Sequence, residues 1–430
     1  MDSKRKWLIL AHCFNMDGRA ASQTITDRIP FFMEKGITPV VLSAPTGVKD
    51  QGVPHFRVIS PAPSGIRFEM RHIINNATRN KAARILLKAI LTILCLPLYG
   101  AEKLLIHLDS QWSWFLSATP KGLWLLNRFC PEVIYSTAGP PSTHLAAYLL
   151  HRFSNVPWIA EVHDPLILSG EKNRWQNYFF KKWIEKKICA HADAIIYFTE
   201  NAISEVCKRH DCRDKIRLIR PGANPPEAVE GEYQKRDTFH IAHFGSLDHA
   251  RNLEAVIIAL HELFQEQPGY KDRVCLDIYG ADLDPVSQKT LAAYPLDGAI
   301  NTHGRLEFDP VSGKSGRQRV VEEMYRSDLL LLIHGQGDMC QEYIPSKLYE
   351  YLLTDRPILG ITRSDSELSG MLKTEKHPVV SPGDGFQLKA ALGEYIAEWL
   401  KRGLPCKPSI SSYRVSDSAD KIVQIVNGIK

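Results

Sequence analysis

Two glutamates, Glu342 and Glu350, stand eight positions apart in the stretch QEYIPSKLYEYLLTDRPIL, on either side of a proline. Because Pro345 suits a first helical turn and Ser346 can satisfy an unpaired amide there, we predict that a helix begins near residue 345. Glu342 then lies in the preceding loop, and Glu350 lies one to two turns inside the helix. A carboxylate accepts hydrogen bonds from two vicinal sugar hydroxyls, and a positive helix end next to Lys347 suits a diphosphate. One element is therefore predicted to bind hydroxyls at each end and phosphate between them.

A plainer interpretation of the same residues stays open at this point. Glu342 can be a solvated acid in a loop, and Glu350 can be the i,i+3 partner of Lys347 on the helix surface. The residue types alone do not separate this interpretation from a ligand site.

A second candidate site follows the apolar stretch FHIAHF. Gly245 and Ser246 come directly after this predicted strand, and Arg251 stands at the start of the next predicted helix. A turn with free backbone amides, a helix N-terminus and a guanidinium together suit a phosphate. Many turns between a strand and a helix contain a glycine, so this pattern by itself is a weak signal.

Two loops in the first half of the chain carry further candidates. In NMDGRAASQ, Gly18 permits a close backbone approach and Ser22 can cap the next helix. After PWIAEV come His163 and Asp164, a pair able to take up and release protons. His163 is equally well explained as a structural histidine with satisfied ring nitrogens, and both interpretations stay open.

Short apolar runs typical of β-strands alternate with longer helical patterns along the chain, which predicts an α/β fold with parallel sheets. Both halves are predicted to be doubly wound. Ligands of such open sheets bind at the carboxyl ends of the strands, which is why the loops above are the ones to inspect. The predicted strands are KWLILAHC, TPVVLSAP, EVIYSTAG, PWIAEVHD, DAIIYFTE, IRLIRPGA, FHIAHFGS, VCLDIYGA, DLLLLIHG, RPILGITR and a weaker GAINTHGR.

The length of 430 residues predicts two domains, because single hydrophobic cores rarely grow beyond about 250 to 300 residues. We place the first domain at residues 1–222 and the second at 238–405. The stretch between them, 223–237, is rich in proline, glycine and charge, which is typical of a linker. Residues 406–430 are predicted to form a tail that ends in a helix, since their apolar residues follow a helical spacing.

Charge is distributed unevenly, because residues 1–222 hold 30 Lys and Arg against 18 Asp and Glu, whereas the remainder is acidic. A basic half is typical of proteins that bind nucleic acid, anionic lipid or a phosphorylated substrate. No motif that combines aromatic and basic residues indicates nucleic acid, so we predict no nucleic-acid partner.

A basic stretch followed by an apolar one, residues 67–98, is the candidate for membrane contact. Its apolar part, AILTILCLPLYG, has only about half of the ~20 residues that cross a bilayer, and Pro97 interrupts it. We therefore predict that the segment does not cross as one helix but lies in the interface, with its cations on anionic headgroups. The alternative is a buried helix with a solvated basic flank.

The nine cysteines include no CxxC pair, and Cys207 and Cys212 lack a second pair at a zinc-ligand spacing. An odd number without a disulfide framework fits a reducing compartment. The N-terminal stretch MDSKRKWLILAHCF imitates a signal peptide, but His12 breaks its apolar part and no small-residue cleavage site follows. We interpret it as the first strand of a cytoplasmic protein.

Three segments together resemble glycosyltransferase family 4, whose members are retaining enzymes of the GT-B fold. They are the stretch from Glu342 to PILG, the turn and helix GSLDHARNLEAVIIAL, and the block CPEVIYSTAGPPSTHLAAYLLHRFSNVPWIAEVHDPL. The resemblance runs over most of the chain, with 130–166 and 344–359 as its specific parts. It implies two Rossmann-like domains that face a cleft, with a C-terminal helix that can cross back to the first domain. The donor would be a nucleoside-diphosphate sugar, and neither a cofactor nor a metal would be required.

The resemblance also implies roles for individual residues. The first glutamate, Glu342, would contact the donor sugar, and the second, Glu350, would bind the nucleotide ribose. His163 would lie near the transferred sugar. The residues whose backbone faces the sugar and diphosphate would be Tyr343, Ile344, Pro345 and Ser346. Residues of the cleft near the donor phosphates or the acceptor would be Gly18, Arg19 and Asp164.

One position departs from the family pattern. Members usually have an arginine after the glycine and a lysine five positions later to hold the pyrophosphate, but this chain has Ser246 and Arg251 there. Lys347 is the residue placed to substitute for the missing cation. By resemblance, the reaction is transfer with retention: the leaving diphosphate accepts the proton of the acceptor hydroxyl, and Arg251, Lys347 and helix N-termini stabilise its charge.

Together with the resemblance, the basic and apolar segment at 67–98 favours a lipid-linked glycan of surface polysaccharide synthesis as the acceptor, and a soluble acceptor stays open. The protein would then be attached peripherally to an anionic membrane surface, at the inner face of the cell membrane. Alternatives stay open. A metal-dependent transferase would hold a divalent ion through Asp282 and Asp284 of the stretch DLD. A nucleotide-sugar epimerase, or a non-catalytic subunit that binds a membrane or a partner, would have the same fold.

Overall fold

The chain folds into two compact units, the first Met1–Gly222 with Val415–Lys430 and the second Ala223–Arg414. The structure is a computed structural model that describes residues 5–78, 80–137, 139–170, 175–224, 233–280, 282–404 and 413–429. Most of the predicted linker, at 225–232, and the start of the predicted tail, at 406–412, lie outside the described residues.

In its described part, the first unit contains a seven-stranded sheet in which all neighbouring strands are parallel, as the apolar runs predicted. The strand order is β3-β2-β1-β4-β5-β6-β7. The strands are β1 (Arg5–Leu10), β2 (Ile37–Ser43), β3 (His55–Arg57), β4 (Val133–Thr137), β5 (Trp158–Val162), β6 (Ala194–Tyr197) and β7 (Ile216–Leu218).

Helices cover both faces of this sheet. Successive residues of β1 point to opposite faces, so Leu8 and Leu10 enter one hydrophobic cluster while Trp7 and Ile9 enter another. The helices between these strands and after them are α1 (Ala20–Glu34), α2 (Pro63–Ala77), α3 (Lys81–Leu105), α4 (Trp114–Phe129), α5 (Pro141–Ser154), α6 (Trp175–His191) and α7 (Glu200–Arg209).

The second unit repeats this architecture with a six-stranded parallel sheet in the order β10-β9-β8-β11-β12-β13, among its described residues. Its strands are β8 (Phe239–Phe244), β9 (Val274–Tyr279), β10 (Ile300–Gly304), β11 (Leu329–Ile333), β12 (Ile358–Ile361) and β13 (Val379–Val380). Its helices are α8 (Glu254–Glu266), α9 (Pro285–Ala293), α10 (Gly316–Arg326), α11 (Lys347–Tyr351), α12 (Glu367–Thr374) and α13 (Gly385–Arg402). The predicted α/β fold with two doubly wound sheets is confirmed.

The last helix, α14 (Val415–Ile429), returns to the first unit, as the fold class allowed. It packs along α1, where Asp420 forms an ion pair with Lys35 and Ser418 accepts a hydrogen bond from Arg28. Its apolar residues join the cluster that covers one face of the first sheet.

The predicted interruption at Pro97 was wrong, because α3 continues through this residue for 25 residues to Leu105. A proline inside a helix removes one backbone hydrogen bond and strains the preceding turn, but it does not always end the helix. Asn80 starts α3 by accepting hydrogen bonds from the amides of Ala82 and Ala83. By length and composition alone, α3 is long and apolar enough to cross a bilayer, and an 18-residue window of it has a mean hydropathy of 1.8.

Candidate functional site

The candidate donor site lies at the carboxyl ends of β8 and β9 in the second unit, where two glycines bring the backbones together. Gly245 has a φ of +107° and Gly280 a φ of +101°, values that favour glycine. A Cβ atom added to Gly280 would lie 3.1 Å from the Gly245 nitrogen. The two turns therefore pack backbone against backbone and leave the Gly245 turn open on its other side, where Ser246 is exposed.

Lys347 lies beside this turn. Its Nζ donates a hydrogen bond of 2.8 Å to the Phe244 carbonyl and would be 3.8 Å from a Cβ atom at Gly245. Burial, together with the nearby Arg251 charge, lowers the pKa of Lys347 to about 7. Burial penalises the charged form of Lys347, and an anionic ligand bound beside the ammonium would favour that form.

Arg251 is close to Lys347 but has a carboxylate partner. Its guanidinium bonds the Asp248 carboxylate at 2.6 and 3.0 Å, and the two residues also exchange backbone hydrogen bonds. Arg251 was predicted at the start of the helix. It lies instead three residues before α8, which begins at Glu254. The predicted phosphate cation is therefore positioned by a turn and partly neutralised by an acid within that turn.

Glu342 is buried, with 2% of its surface exposed, in the loop after a short 3₁₀ helix at Asp338–Gln341. The interpretation as a solvated loop acid is therefore wrong. Residues that the sequence reasoning did not single out hold this loop: the ring of His334 bonds the Cys340 carbonyl at 2.6 Å and packs edge-on against Tyr343. His334 directly follows the strand β11, and a histidine just after a strand's carboxyl end was the signal available in the sequence.

The helix that follows starts later than predicted. It begins at Lys347, two residues after Pro345, and Ser346 makes no side-chain cap, so the predicted capping role of Ser346 was wrong. The amides of Leu348 and Tyr349 instead bond the carbonyls of Pro345 and Ser346. Because α11 has only five residues, its dipole is a small contribution, and the Lys347 ammonium supplies the positive charge here.

Glu350 faces α10 and not Lys347. Its carboxylate lies 3.4 Å from the Arg317 Nε, with about a quarter of each side chain exposed. The i,i+3 pair between Glu350 and Lys347 is thus replaced by an ion pair between α11 and α10. Ile344, in the loop before α11, packs on a hydrophobic cluster of the second unit. A ribose at Glu350 would share the carboxylate with the Arg317 guanidinium.

Asp284 of the stretch DLD has a structural role. Its carboxylate caps α9, accepting hydrogen bonds from the amides of Val286 and Ser287 and from the Ser287 hydroxyl. Only 6% of Asp284 is exposed. A metal bridging Asp282 and Asp284 would have to displace this cap, so the geometry does not favour the metal-dependent alternative.

A cavity of about 720 Å³ opens on the far side of the Arg251 turn. It lies between the start of α8 and the loops after β11 and β13, and its lining includes Asn252, His334, Gln336, Phe386 and Lys389. The predicted donor residues are not among those that line it.

In the first unit, His163 is held by a buried carboxylate at the end of β5. Its Nε2 lies 2.6 Å from the Glu161 Oε1 and 3.0 Å from the Thr137 hydroxyl, and its ring packs against Phe198. An ionised carboxylate only accepts hydrogen bonds, so Nε2 carries a proton and Nδ1 is the nitrogen left to a ligand. The side chain of His163 is 9% exposed.

Glu161, which the sequence reasoning missed, is the centre of this network. Burial alone would raise the pKa of Glu161, but the Arg28 charge and the hydrogen bonds from His163 and Thr137 lower it far below its usual range. Arg28 and Tyr135 also donate to this carboxylate, and both are fully buried. The network extends from α14 through α1 to the predicted catalytic histidine, which it fixes in one tautomer.

The other predicted residues of the first unit lie near the carboxyl end of β1 and after β5. Gly18 is exposed with a φ of +66°, and Asp164 is exposed. Arg19 precedes α1 and places its guanidinium 5.8 Å from the ring centre of Phe68 on α2. Ser22 does not cap α1 but accepts a hydrogen bond from the Met16 amide, which fixes the loop.

This architecture is similar to that of known proteins. Residues 97–226 match the sequence model of Glycosyltransferase Family 4. Among curated protein sequences, none matches this chain. Similar solved structures include TarM of S. aureus, with a TM-score of 0.62 and 10% identity over 99% of this chain and 100% of that chain. Sucrose-phosphate synthase from Thermosynechococcus elongatus gives the same score and identity, with 99% of both chains covered. HepE from Anabaena in complex with UDP-glucose gives 0.56 and 12% identity over 99% and 98%.

The fold is that of the GT-B glycosyltransferases. The family resemblance predicted from the sequence is confirmed by the match to Glycosyltransferase Family 4 over residues 97–226.

Proposed function

We propose that this protein is a retaining glycosyltransferase that moves a hexosyl or related sugar from a nucleoside-diphosphate sugar to an acceptor hydroxyl. The observation that carries the proposal is the position of Lys347. Its ammonium contacts a carbonyl and not a carboxylate among the described residues, beside the open turn at Gly245 and near a second cation. A diphosphate supplies the negative charge that this place lacks.

The proposed mechanism assigns the chemistry to the donor's own leaving group. As the bond between sugar and diphosphate breaks, negative charge grows on the diphosphate, where Lys347 and Arg251 stabilise it. The leaving oxygen then takes the proton of the acceptor hydroxyl, and the new bond forms on the same face of the sugar. This route needs neither a protein nucleophile nor a metal.

The remaining residues are proposed to orient the donor. Buried Glu342 accepts hydrogen bonds from hydroxyls of the sugar, and Glu350 accepts them from hydroxyls of the ribose. The backbone of residues 343–346, with N–H groups at all positions except Pro345, contacts the sugar and the diphosphate. In the first unit, His163 contacts the transferred sugar through Nδ1, since its Nε2 is occupied by Glu161. Support for this type of donor comes from HepE, which was solved in complex with UDP-glucose.

The acceptor is proposed to be lipid-linked, because α3 exposes a large apolar surface. The exposed fractions of ten leucine and isoleucine side chains on α3 range from 42% to 80%. They belong to Ile85, Leu86, Leu87, Ile90, Ile93, Leu94, Leu96, Leu98, Leu104 and Leu105. Contiguous apolar surface of this extent marks a membrane or protein interface. Cations before and within the first half of α3 suit anionic headgroups.

We propose that α3 lies in the membrane interface and does not cross the bilayer, because α2 packs along it. The start of α2 meets the end of α3, where buried Glu102 bonds the Ser64 amide and hydroxyl. A crossing α3 would draw Arg67 and Arg71 of α2 into the hydrocarbon core at high cost. In the interface, those charges stay at the headgroups.

The neighbouring helix α6 supports the same orientation. Trp175, Phe179 and Trp183 are spaced by four residues and are 68%, 59% and 44% exposed, as in an interfacial aromatic row. Gln176 accepts a hydrogen bond from the His107 amide just after α3, so the two helices meet. The resulting surface is proposed to hold the protein peripherally on the cytoplasmic face of the membrane.

This membrane surface is linked to the candidate site of the first unit. Glu69 of α2 is buried and bonds His12, just after β1, at 3.2 Å and the Ser60 hydroxyl at 2.5 Å. The helix that packs on α3 is thereby fixed to the strand end that carries the Gly18 loop. A lipid-linked glycan of surface polysaccharide synthesis would present its sugar close to its anchor, which this arrangement favours.

A second candidate function is a non-catalytic subunit of the same fold. It is favoured by two observations: Arg251 is neutralised by Asp248, and Glu350 is paired with Arg317. The presence of Ser246 in place of the usual arginine also favours a non-catalytic subunit, because one cation for the diphosphate is missing. A nucleotide-sugar epimerase has no such support and would not need the apolar surface of α3.

Calorimetric titration with UDP, GDP and UDP-glucose separates these candidates. The catalytic proposal predicts that at least one probe binds and that Arg251→Ala weakens it by about tenfold or more. Arg326→Ala is the matched control, because Arg326 forms the same i,i+3 pair with Glu323 on the exposed surface of α10. If none of the three nucleotides gives a heat of binding, or if Arg251→Ala and Arg326→Ala change the affinity equally, the non-catalytic subunit is favoured.

A further inference from the structure

Three adjacent strands of the second sheet place four possible metal ligands on one face. His240 is the second residue of β8, Cys275 and Asp277 are the second and fourth of β9, and His303 lies on β10. Side chains alternate along a strand, so Cys275 and Asp277 point to the same side. His240 pairs in register with Cys275, which brings its ring to the same place.

The distances within this cluster are short. The Asp277 carboxylate lies 2.6 Å from the His240 Nδ1 and 2.7 Å from the His303 Nε2, and its Oδ1 lies 3.7 Å from the Cys275 sulfur. One ligand atom from each of His240, Cys275 and Asp277 fits within 4.8 Å of the others. Tetrahedral zinc, with bonds of about 2.0 to 2.3 Å, requires ligand atoms separated by roughly 3.3 to 3.8 Å. Small side-chain rotations therefore suffice to enclose an ion.

Burial in the cluster is graded from inside to outside. Asp277 and Cys275 are 3% and 7% exposed, whereas the side chains of His240 and His303 are 20% and 36% exposed. The inner ligands are thus held by the sheet, while the outer imidazoles are partly exposed and give an ion a path from solvent. The Asp277 carboxylate lies between the two histidine rings and accepts a hydrogen bond from each.

We propose that His240, Cys275, Asp277 and His303 form a binding site for a divalent transition metal of the zinc type. Thiolate, imidazole and carboxylate are the ligands that this class of ion prefers. On binding, the Cys275 thiol releases its proton to solvent, and each neutral imidazole that binds the metal keeps its one proton on the other ring nitrogen. Asn301 completes the surroundings, because its amide nitrogen lies 3.0 Å from the Cys275 sulfur and donates to it. Such donors typically orient and stabilise a metal thiolate.

The position of the cluster indicates a structural role for the ion. The His303 ring stacks on Tyr279 at 4.3 Å, and Tyr279 stacks on Phe244 at 4.6 Å. Phe244 precedes Gly245 and accepts the hydrogen bond from Lys347. An ion that fixes His303 would therefore fix the aromatic stack beneath the candidate donor turn. The site stands on its own ligands and does not depend on the proposed transfer reaction.

Metal binding is tested on the full-length chain, stripped with a chelator and dialysed against Zn²⁺ or Co²⁺. We expect one equivalent of zinc per chain by elemental analysis, and a thiolate-to-cobalt charge-transfer band with Co²⁺, which requires a cysteine ligand. Loss of all zinc on dialysis against metal-free buffer, or a cobalt spectrum without that band, would overturn the proposal.

Substitutions assign the ligands. Cys275→Ser is expected to abolish the band and to lower zinc affinity at least about tenfold. Cys130→Ser, which removes an exposed free thiol elsewhere, is the matched control and should change neither. If Cys275→Ser does not fold, His303→Ala provides the test, since this side chain is half-exposed and its removal leaves the strand intact. Equal zinc affinity in His303→Ala and the wild type, or loss of the band in Cys130→Ser, would contradict the assignment.

Discussion

Replacement of Lys347 by methionine tests the positive charge beside the Gly245 turn. Methionine keeps most of the side-chain volume but removes the ammonium and its hydrogen bond to the Phe244 carbonyl. A hydrogen bond between a charged group and a ligand contributes about 1.5 to 3 kcal/mol, which corresponds to a loss of roughly 10- to 100-fold in affinity. We expect this loss for UDP-glucose, or for the nucleotide sugar that binds in its place, measured by calorimetry.

The pH dependence of binding gives an independent signature. The pKa of Lys347 is about 7 in the free protein, and a bound diphosphate would raise it. Above pH 7 the lysine must therefore take up a proton when the donor binds, so the wild-type affinity falls by up to about tenfold per pH unit. Lys347→Met should lack this slope, because the titrating group is absent.

Stability should respond differently from binding. The pKa of Lys347 lies below its ordinary value of 10.5, so the unfolded chain binds more protons than the folded chain between about pH 7 and 10.5. The contribution of this residue to stability consequently rises with pH across that window. At pH 6, Lys347→Met removes the cost of burying a charge, and its free energy of unfolding should stay within about 1 kcal/mol of the wild type or increase.

Lys373→Met is the matched control, because Lys373 also donates to a backbone carbonyl, that of Ser364, but on the exposed surface. Its donor affinity and pH slope should equal those of the wild type. Unchanged affinity and an unchanged pH slope in Lys347→Met would refute the reasoning. A large loss of stability without a loss of binding would show that Lys347 is structural.

The remaining predictions concern other parts of the chain. Glu161→Gln should lower the free energy of unfolding by about 3 to 5 kcal/mol in urea denaturation, because Arg28 is left buried without its acid; a change below 1 kcal/mol contradicts the network. Asp284→Ala should cost about 1 to 2 kcal/mol as a lost helix cap while donor binding stays equal with and without Mg²⁺; magnesium-dependent binding lost in this variant would restore the metal alternative. Replacing Leu94 and Leu98, which are 72% and 66% exposed, by glutamine should reduce co-sedimentation with phosphatidylglycerol vesicles and leave the melting temperature unchanged; wild-type co-sedimentation would refute the interfacial role of α3.

The sequence predicted the strands well because each buried parallel strand is a short apolar run. Two strands were missed, β3 and β13, since β3 (HFR) has only one apolar residue and β13 has only two residues, which is too few to show a pattern. The length of α3 was misjudged because Pro97 was taken as an end, whereas the helix accommodates it. The start of α11 was misplaced by two residues, which is the usual uncertainty of helix boundaries.

The candidate site was only partly predictable from the sequence. Lys347 was singled out because the expected arginine is missing at Ser246, but its contact with Phe244, 103 residues away in the chain, emerges from the fold. The carboxylate that holds His163 was not found, because its partner Arg28 lies 133 residues from Glu161. Buried polar networks of this kind are assembled by tertiary structure, and a single sequence carries no periodic signal for them.

Transfer of labelled sugar is the most direct test of the central claim. The protein is incubated with radiolabelled nucleotide sugars and a membrane extract, and the label is counted in the lipid fraction. The wild type should move label from at least one donor, whereas Glu342→Ala should reduce the transfer to background and remain folded by circular dichroism. No lipid-bound label from any donor, or equal label with Glu342→Ala, would contradict the assignment as a glycosyltransferase acting on a lipid-linked acceptor through this site.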